Sequence, residues 1–200
     1  LDVEEFLSLF ALFIGHPAAG LRRIRERPSM LTGYVALILT GIADALSFRL
    51  IDMAGLLQSL GLTTQMVQSV RSVQQAPGTF WGFVAEPFFV TLLCVVIIDA
   101  VAQLAWKKTA APFLFIALSF SGLIGGILRL AGLLLGGVAN GILLDVLSYA
   151  AVLYTVIMGV LSVRFFYEKS TFKAILAYFV PVLLGALVII LLALTLGGAA

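Results

Sequence analysis

Residues 172–196 read FKAILAYFVPVLLGALVIILLALTL, and after Lys173 no charge appears through Ala200. About 20 mostly apolar residues in a helix cross the hydrocarbon layer of a bilayer. This stretch is therefore read as a transmembrane helix, and it decides the fold of the chain. Four more stretches of comparable length precede it, at residues 30–57, 80–106, 112–135 and 141–163. The expectation is an all-α, polytopic membrane protein with five transmembrane helices. A cytoplasmic lead-in, residues 1–29, precedes a five-helix transmembrane domain, residues 30–200.

Composition agrees. Of 200 residues, 62% are apolar or aromatic and 11% are charged, with a mean hydropathy of +1.17. A soluble domain carries about 25% charged residues, so soluble and disordered folds are excluded. A net charge of +2 is too weak for a nucleic-acid partner. One cysteine (Cys94) and one histidine (His16) exclude an internal disulfide, a Cys/His zinc site and two-histidine chemistry. Phosphate-loop, dinucleotide-binding, GxSxG and GxGD motifs are absent. The chain reads as a non-enzyme without cofactor or metal.

Basic residues set the orientation. Arg22, Arg23, Arg25 and Arg27 precede the first span. Lys107 and Lys108 lie between the second and third, and Arg164, Lys169 and Lys173 between the fourth and fifth. The other side has Arg71 alone, so the asymmetry is nine to one. The expected topology has a cytoplasmic N-terminus and an external C-terminus, in a prokaryotic plasma membrane.

Two stretches read as surface helices. Residues 1–16 join Asp2, Glu4 and Glu5 to an apolar run too short to cross, an amphipathic segment lying at the cytoplasmic interface. The chain opens on Leu1 rather than Met, which leaves room for residues before it. Phe6, Phe10 and Phe13 make one aromatic stripe at helical spacing, and Arg22, Arg23, Arg25 and Arg27 follow as a cationic collar. Together these seven residues are candidates for docking to lipid or to a partner. In the external loop, Met66, Val67, Val70 and Val73 repeat at helical spacing behind a Thr63 or Thr64 cap, and Pro77-Gly78 ends the segment.

Seven ionisable residues fall inside the spans. Each would cost roughly 3 kcal/mol near mid-membrane if left unpaired. Depth counting brings Arg49, Asp52, Glu86, Arg129 and Asp145 to nearly one level in the external half, as a structural ion-pair network in which Arg129 meets Glu86 or Asp145. Asp44 and Asp99 lie deeper without an obvious basic partner. They are candidates for a proton or ion site, and Gln103 is the neighbour expected to bond Asp99. Gly122, Gly125, Gly126, Gly132, Gly136 and Gly137 let another helix approach the third span, either within the chain or in a homo-oligomer. Pro87 and Pro181 are expected to kink their helices.

The stretch His16-Pro17-Ala18-Ala19-Gly20-Leu21-Arg22-Arg23-Ile24-Arg25-Glu26-Arg27-Pro28 resembles the lead-in of the YIP domain family, the Rab-interacting type of five-span membrane protein. Tyr167-Glu168-Lys169-Ser170-Thr171-Phe172-Lys173-Ala174 is similar to the polar link that opens that family's fifth span. The likeness covers nearly the whole chain and is greatest to short prokaryotic members. It implies a five-helix bundle with an N-terminus inside and brings over no catalytic residues. The functional expectation is a non-catalytic membrane scaffold or accessory subunit of a transport or trafficking complex, embedded in lipid and packed against a membrane-protein partner. The alternative is a small transporter or channel using Asp44 or Asp99; an intramembrane enzyme is a third and weaker reading. An open cavity reaching either carboxylate separates transporter from scaffold.

Overall fold

The computed structural model describes residues 2–51, 63–136 and 142–197, which form eight helices and no strand. In chain order these are α1 (Val3–Gly15), α2 (Pro17–Glu26), α3 (Met30–Leu50), α4 (Thr64–Gln75), α5 (Pro77–Trp106), α6 (Ala111–Gly136), α7 (Ile142–Tyr167) and α8 (Thr171–Gly197). Five of them, α3 and α5 to α8, are long and apolar enough to cross a membrane. Helix starts follow local chemistry. The Asp2 carboxylate accepts from the Glu4 and Glu5 amides, Ser29 caps α3, and Thr63 caps α4. Proline occupies the first turn of α2 and of α5, where its missing N–H costs nothing.

Helix α6 is the centre of the bundle. In its most apolar stretch 61% of residues are buried, against 11% for the lipid-facing α8. The glycines expected to permit close packing are spent inside the chain. Gly122 faces Thr40 and Gly126 faces Ala43 of α3, while Gly125 meets the Thr155 hydroxyl and Gly132 meets Leu147 of α7. One small-residue helix thus serves two neighbours at once. Gly137 lies outside the described residues. Gly41 brings α3 against α5 so closely that a Cβ there would collide with the Val84 backbone.

Helix α3 closes at Leu50, with Ile51 as its extended cap, and the remainder of the predicted first span, residues 52–57, lies outside the described residues. Gln74 of α4 is buried and its side-chain amide donates to the carbonyls of Phe48 and, at 2.8 Å, Ile51. It satisfies carbonyls that the helix end leaves without partners. Of the predicted apolar stripe on α4, Val67 is buried, whereas Met66 and Val73 are more than half exposed.

The lead-in also departs from expectation. Phe6, Leu9 and Phe13 of α1, with Leu21 and Ile24 of α2, belong to the same hydrophobic core as α6. Phe6 and Phe13 both pack on Phe120, at ring-centroid distances of 5.3 and 5.4 Å. Phe120 lies nine residues, about 14 Å of helix, from the start of α6. Helices α1 and α2 thus turn one face into the bundle's core, while Val3, Leu7 and Ile14 of α1 stay more than half exposed, an amphipathic arrangement. Phe6 and Phe10 also border an apolar groove with α3 and α6, and Tyr154 of α7 donates to the Phe13 carbonyl at 2.9 Å.

Candidate functional site

An open crevice of about 610 Å³ lies between α3, α5, α6 and α7, at the end of the bundle away from most basic residues. Its charged lining is Asp44, Glu86, Arg129 and Asp145, joined by the hydroxyl residues Thr40, Ser47, Thr91 and Ser148. Each helix brings its share by periodicity. Thr40, Asp44 and Ser47 stand four and three residues apart on α3, and Asp145 and Ser148 three apart on α7, so each set shares one face. On α5, Pro87 gives the wall a further property. It has no N–H to offer the Phe83 carbonyl, and both residues line the crevice.

Arg129 Nη2 stands 2.7 Å from Asp44 Oδ1. That oxygen receives no well-aligned hydrogen bond, so the contact is an ion pair set by position more than by direction. This corrects the expectation that Arg129 meets Glu86 or Asp145. With α3 ending at Leu50, Asp44 lies six residues, about 9 Å, below the helix end, and Arg129 lies equally deep below Leu135. Counted from residue 57 instead, Asp44 lies about 10 Å deeper, which is why the sequence alone separates it from Arg129.

Glu86 and Asp145 line the same crevice but make no ion pair among the described residues. Arg49 is placed over the Phe80 ring, 5.0 Å from its centroid, and does not line the crevice. Asp52 lies outside the described residues. Among the described residues, the predicted network comes down to one pair, Arg129 with Asp44, beside two further carboxylates. Three carboxylates against one guanidinium leave a formal surplus of two negative charges.

Asp99 belongs to a different place and is only 5% exposed. Its Oδ2 accepts from Gln103 Nε2 at 2.7 Å and from the Thr109 hydroxyl at 2.8 Å. Its Oδ1 accepts from the Ala110 amide at 2.8 Å and from the Tyr167 hydroxyl. Four donors from α5, the following turn and the end of α7 converge on one side chain. Gln103 was legible as the residue one turn away. Thr109, Ala110 and Tyr167 were not, because only the tertiary fold brings them near. Asp99 is a pin between helices, enclosed on every side by donors, and the candidate ion site narrows to Asp44.

The two turns at this end interlock. Lys107 and Glu168 each close a helix in the left-handed conformation, with φ of 54° and 53°. Glu168 accepts from Arg25 at 3.1 Å and from Lys108, joining α2 to both turns. These two cations hold its carboxyl below the usual range, the Lys108 hydrogen bond first among the causes. Of the collar, Arg22, Arg25 and Arg27 are exposed and Arg23 is half-buried. Phe6 and Phe13 are buried and Phe10 is partly so; that aromatic stripe docks on this chain's own α6, which corrects its assignment as a surface for another molecule. Among the described residues, no group of three His, Cys, Asp or Glu side chains could hold a metal. Comparison with family models, curated proteins and solved structures finds no match to this chain.

Proposed function

We propose that the protein is a small transporter or channel whose crevice takes up a cationic group, with Asp44 as the carboxylate that meets it. One observation carries this reading: the crevice is open and reaches Asp44, with a formal surplus of two negative charges on its wall. Its volume falls in the range of small-molecule sites, and intramembrane carboxylates facing a cavity commonly mark ion or substrate paths. Arg129 holds Asp44 in place, so an incoming cation competes with the guanidinium for one carboxylate. Exchange of partners of this kind links binding to movement of α3 against α6.

The nine-to-one distribution of basic residues supports an N-terminus on the cytoplasmic side, with the crevice opening toward the outside. The test is flux in proteoliposomes. Vesicles with a trapped pH-sensitive dye and an imposed proton gradient are challenged with sodium, potassium and simple organic ammonium ions. We expect one class to dissipate the gradient, and Asp44→Asn to abolish the effect. Flux no faster than in protein-free vesicles for every cation would remove the proposal.

A second reading, the non-catalytic scaffold or accessory subunit that the YIP resemblance implies, is favoured by another feature. A groove of about 520 Å³ between α3 and α5, lined by Tyr34, Ile38, Trp81, Phe88 and Phe89, faces outward and is almost wholly apolar. It suits a helix of a membrane partner. Purification in mild detergent with identification of co-purifying chains tests this reading, and Trp81→Ala should release a partner held there.

A further inference from the structure

At the opposite end of the bundle a second groove, about 470 Å³ in volume, runs between α2 and the last turns of α7. On α2, Ala18, Leu21 and Arg25 line it at spacings of three and four. On α7, Leu161, Arg164 and Phe165 do the same, with Lys169 just beyond. The walls are apolar toward the bundle and charged toward the helix ends, where the Glu168 carboxylate lines the groove beside the three cations. The charges are unequally engaged. Arg25 and Lys108 share Glu168, whereas Arg164 and Lys169 make no ion pair among the described residues. Lys169 lies 5.7 Å from the centroid of the Trp106 ring, and a tryptophan at a helix end marks the headgroup level of a bilayer.

We infer that this groove holds the phosphate of an anionic phospholipid from the surrounding leaflet, with Arg164 and Lys169 as its cationic contacts. Charge complementarity selects the headgroup, because basic pockets between helices at this level suit anionic lipids. The apolar track selects a lipid over a free anion. Ile157 and Leu153, both exposed, stand on α7 one and two turns below Leu161, so an acyl chain can run from the groove along a continuous stripe. The inference is independent of the crevice at the other end and would survive if that proposal failed.

The test uses the full chain, purified in neutral detergent and freed of lipid, with retained lipid counted by native mass spectrometry. Phosphatidylglycerol, phosphatidylcholine with the same acyl chains, and inorganic phosphate are the probes. We expect phosphatidylglycerol to be retained and the other two not. Arg164→Gln with Lys169→Gln should weaken retention by about thirtyfold, taking the usual contribution of two basic residues near a charged surface. Lys107→Gln with Lys173→Gln removes the same charge at the same end but outside the groove, and should change retention little. Salt supplies a test free of mutation: at about 1 M the Debye length is about 3 Å, and the lipid should be released. Equal retention of the two lipids, or unchanged retention in the groove variant or in high salt, overturns the inference. Displacement by inorganic phosphate at equal concentration overturns it too, since the site would then bind free phosphate.

Discussion

An arginine near the middle of a membrane helix costs roughly 3 kcal/mol, and Asp44 offsets that cost for Arg129. The pair sits between two regimes. The Asp44 side chain is 20% exposed and that of Arg129 46%. Breaking a fully buried pair costs about 3–5 kcal/mol and an exposed one under about 1. Arg129→Met is therefore expected to lower stability by about 1–3 kcal/mol, read from thermal unfolding in detergent. Exchanging Asp44 and Arg129 should recover more of that loss than exchanging Glu86 and Arg129. Equal recovery would mean that the three carboxylates are interchangeable partners. Glu168 gives a prediction in pH. Its carboxyl titrates below the ordinary value, so its bonds are fully present above the usual glutamate range and disappear as pH falls through the folded value. A distance probe between α2 and the turn at Lys108 should stay constant as pH falls to the ordinary glutamate range and lengthen only below it.

At the scale of helices, Asp99 ties α5 to α7 through Tyr167 and to the start of α6 through Ala110. Tyr167→Phe removes one donor of four and should cost about 1–2 kcal/mol. Asp99→Ala strands all four donors and should cost at least twice as much by the same unfolding measurement. Comparable losses would mean that Asp99 is not the common acceptor. Helix α1 is also structural. Deleting residues 2–14 uncovers Phe120 and removes three buried apolar side chains, so folded yield on size exclusion should fall sharply, whereas an interfacial anchor could be removed without that loss. These elements show what local pattern carries and what it does not. The spans were legible because uninterrupted apolar length has a single explanation in water and lipid. The end of α3 was not, since residues 51–57 stay apolar on average and the side chain that bonds its last carbonyls, Gln74, lies more than twenty positions away. The place of α1 was hidden for a related reason. A stripe of three phenylalanines has the same spacing whether it faces lipid, a partner or Phe120.

Across the whole molecule, charge divides into two ends. The crevice is lined by three carboxylates and one arginine, and the other end gathers Arg25, Lys108, Arg164 and Lys169 around Glu168. With Cys94 replaced, a single cysteine at position 71 should react with an impermeant reagent added outside intact cells, and one at position 107 should not. The reverse pattern would turn the bundle over. The crevice charges were individually visible in the sequence, but their grouping depended on where each helix stops, which composition does not encode. The donors around Asp99 bear also on the order in which the chain enters the membrane. Gln103, Thr109 and Ala110 lie within eleven residues of it, whereas Tyr167 lies 68 residues downstream. At roughly 5–20 residues per second of synthesis, the ribosome needs several seconds to produce that tyrosine. During that interval three of the four donors are already in the synthesised chain beside the carboxylate, so the order of synthesis leaves only the contact to α7 to be made last.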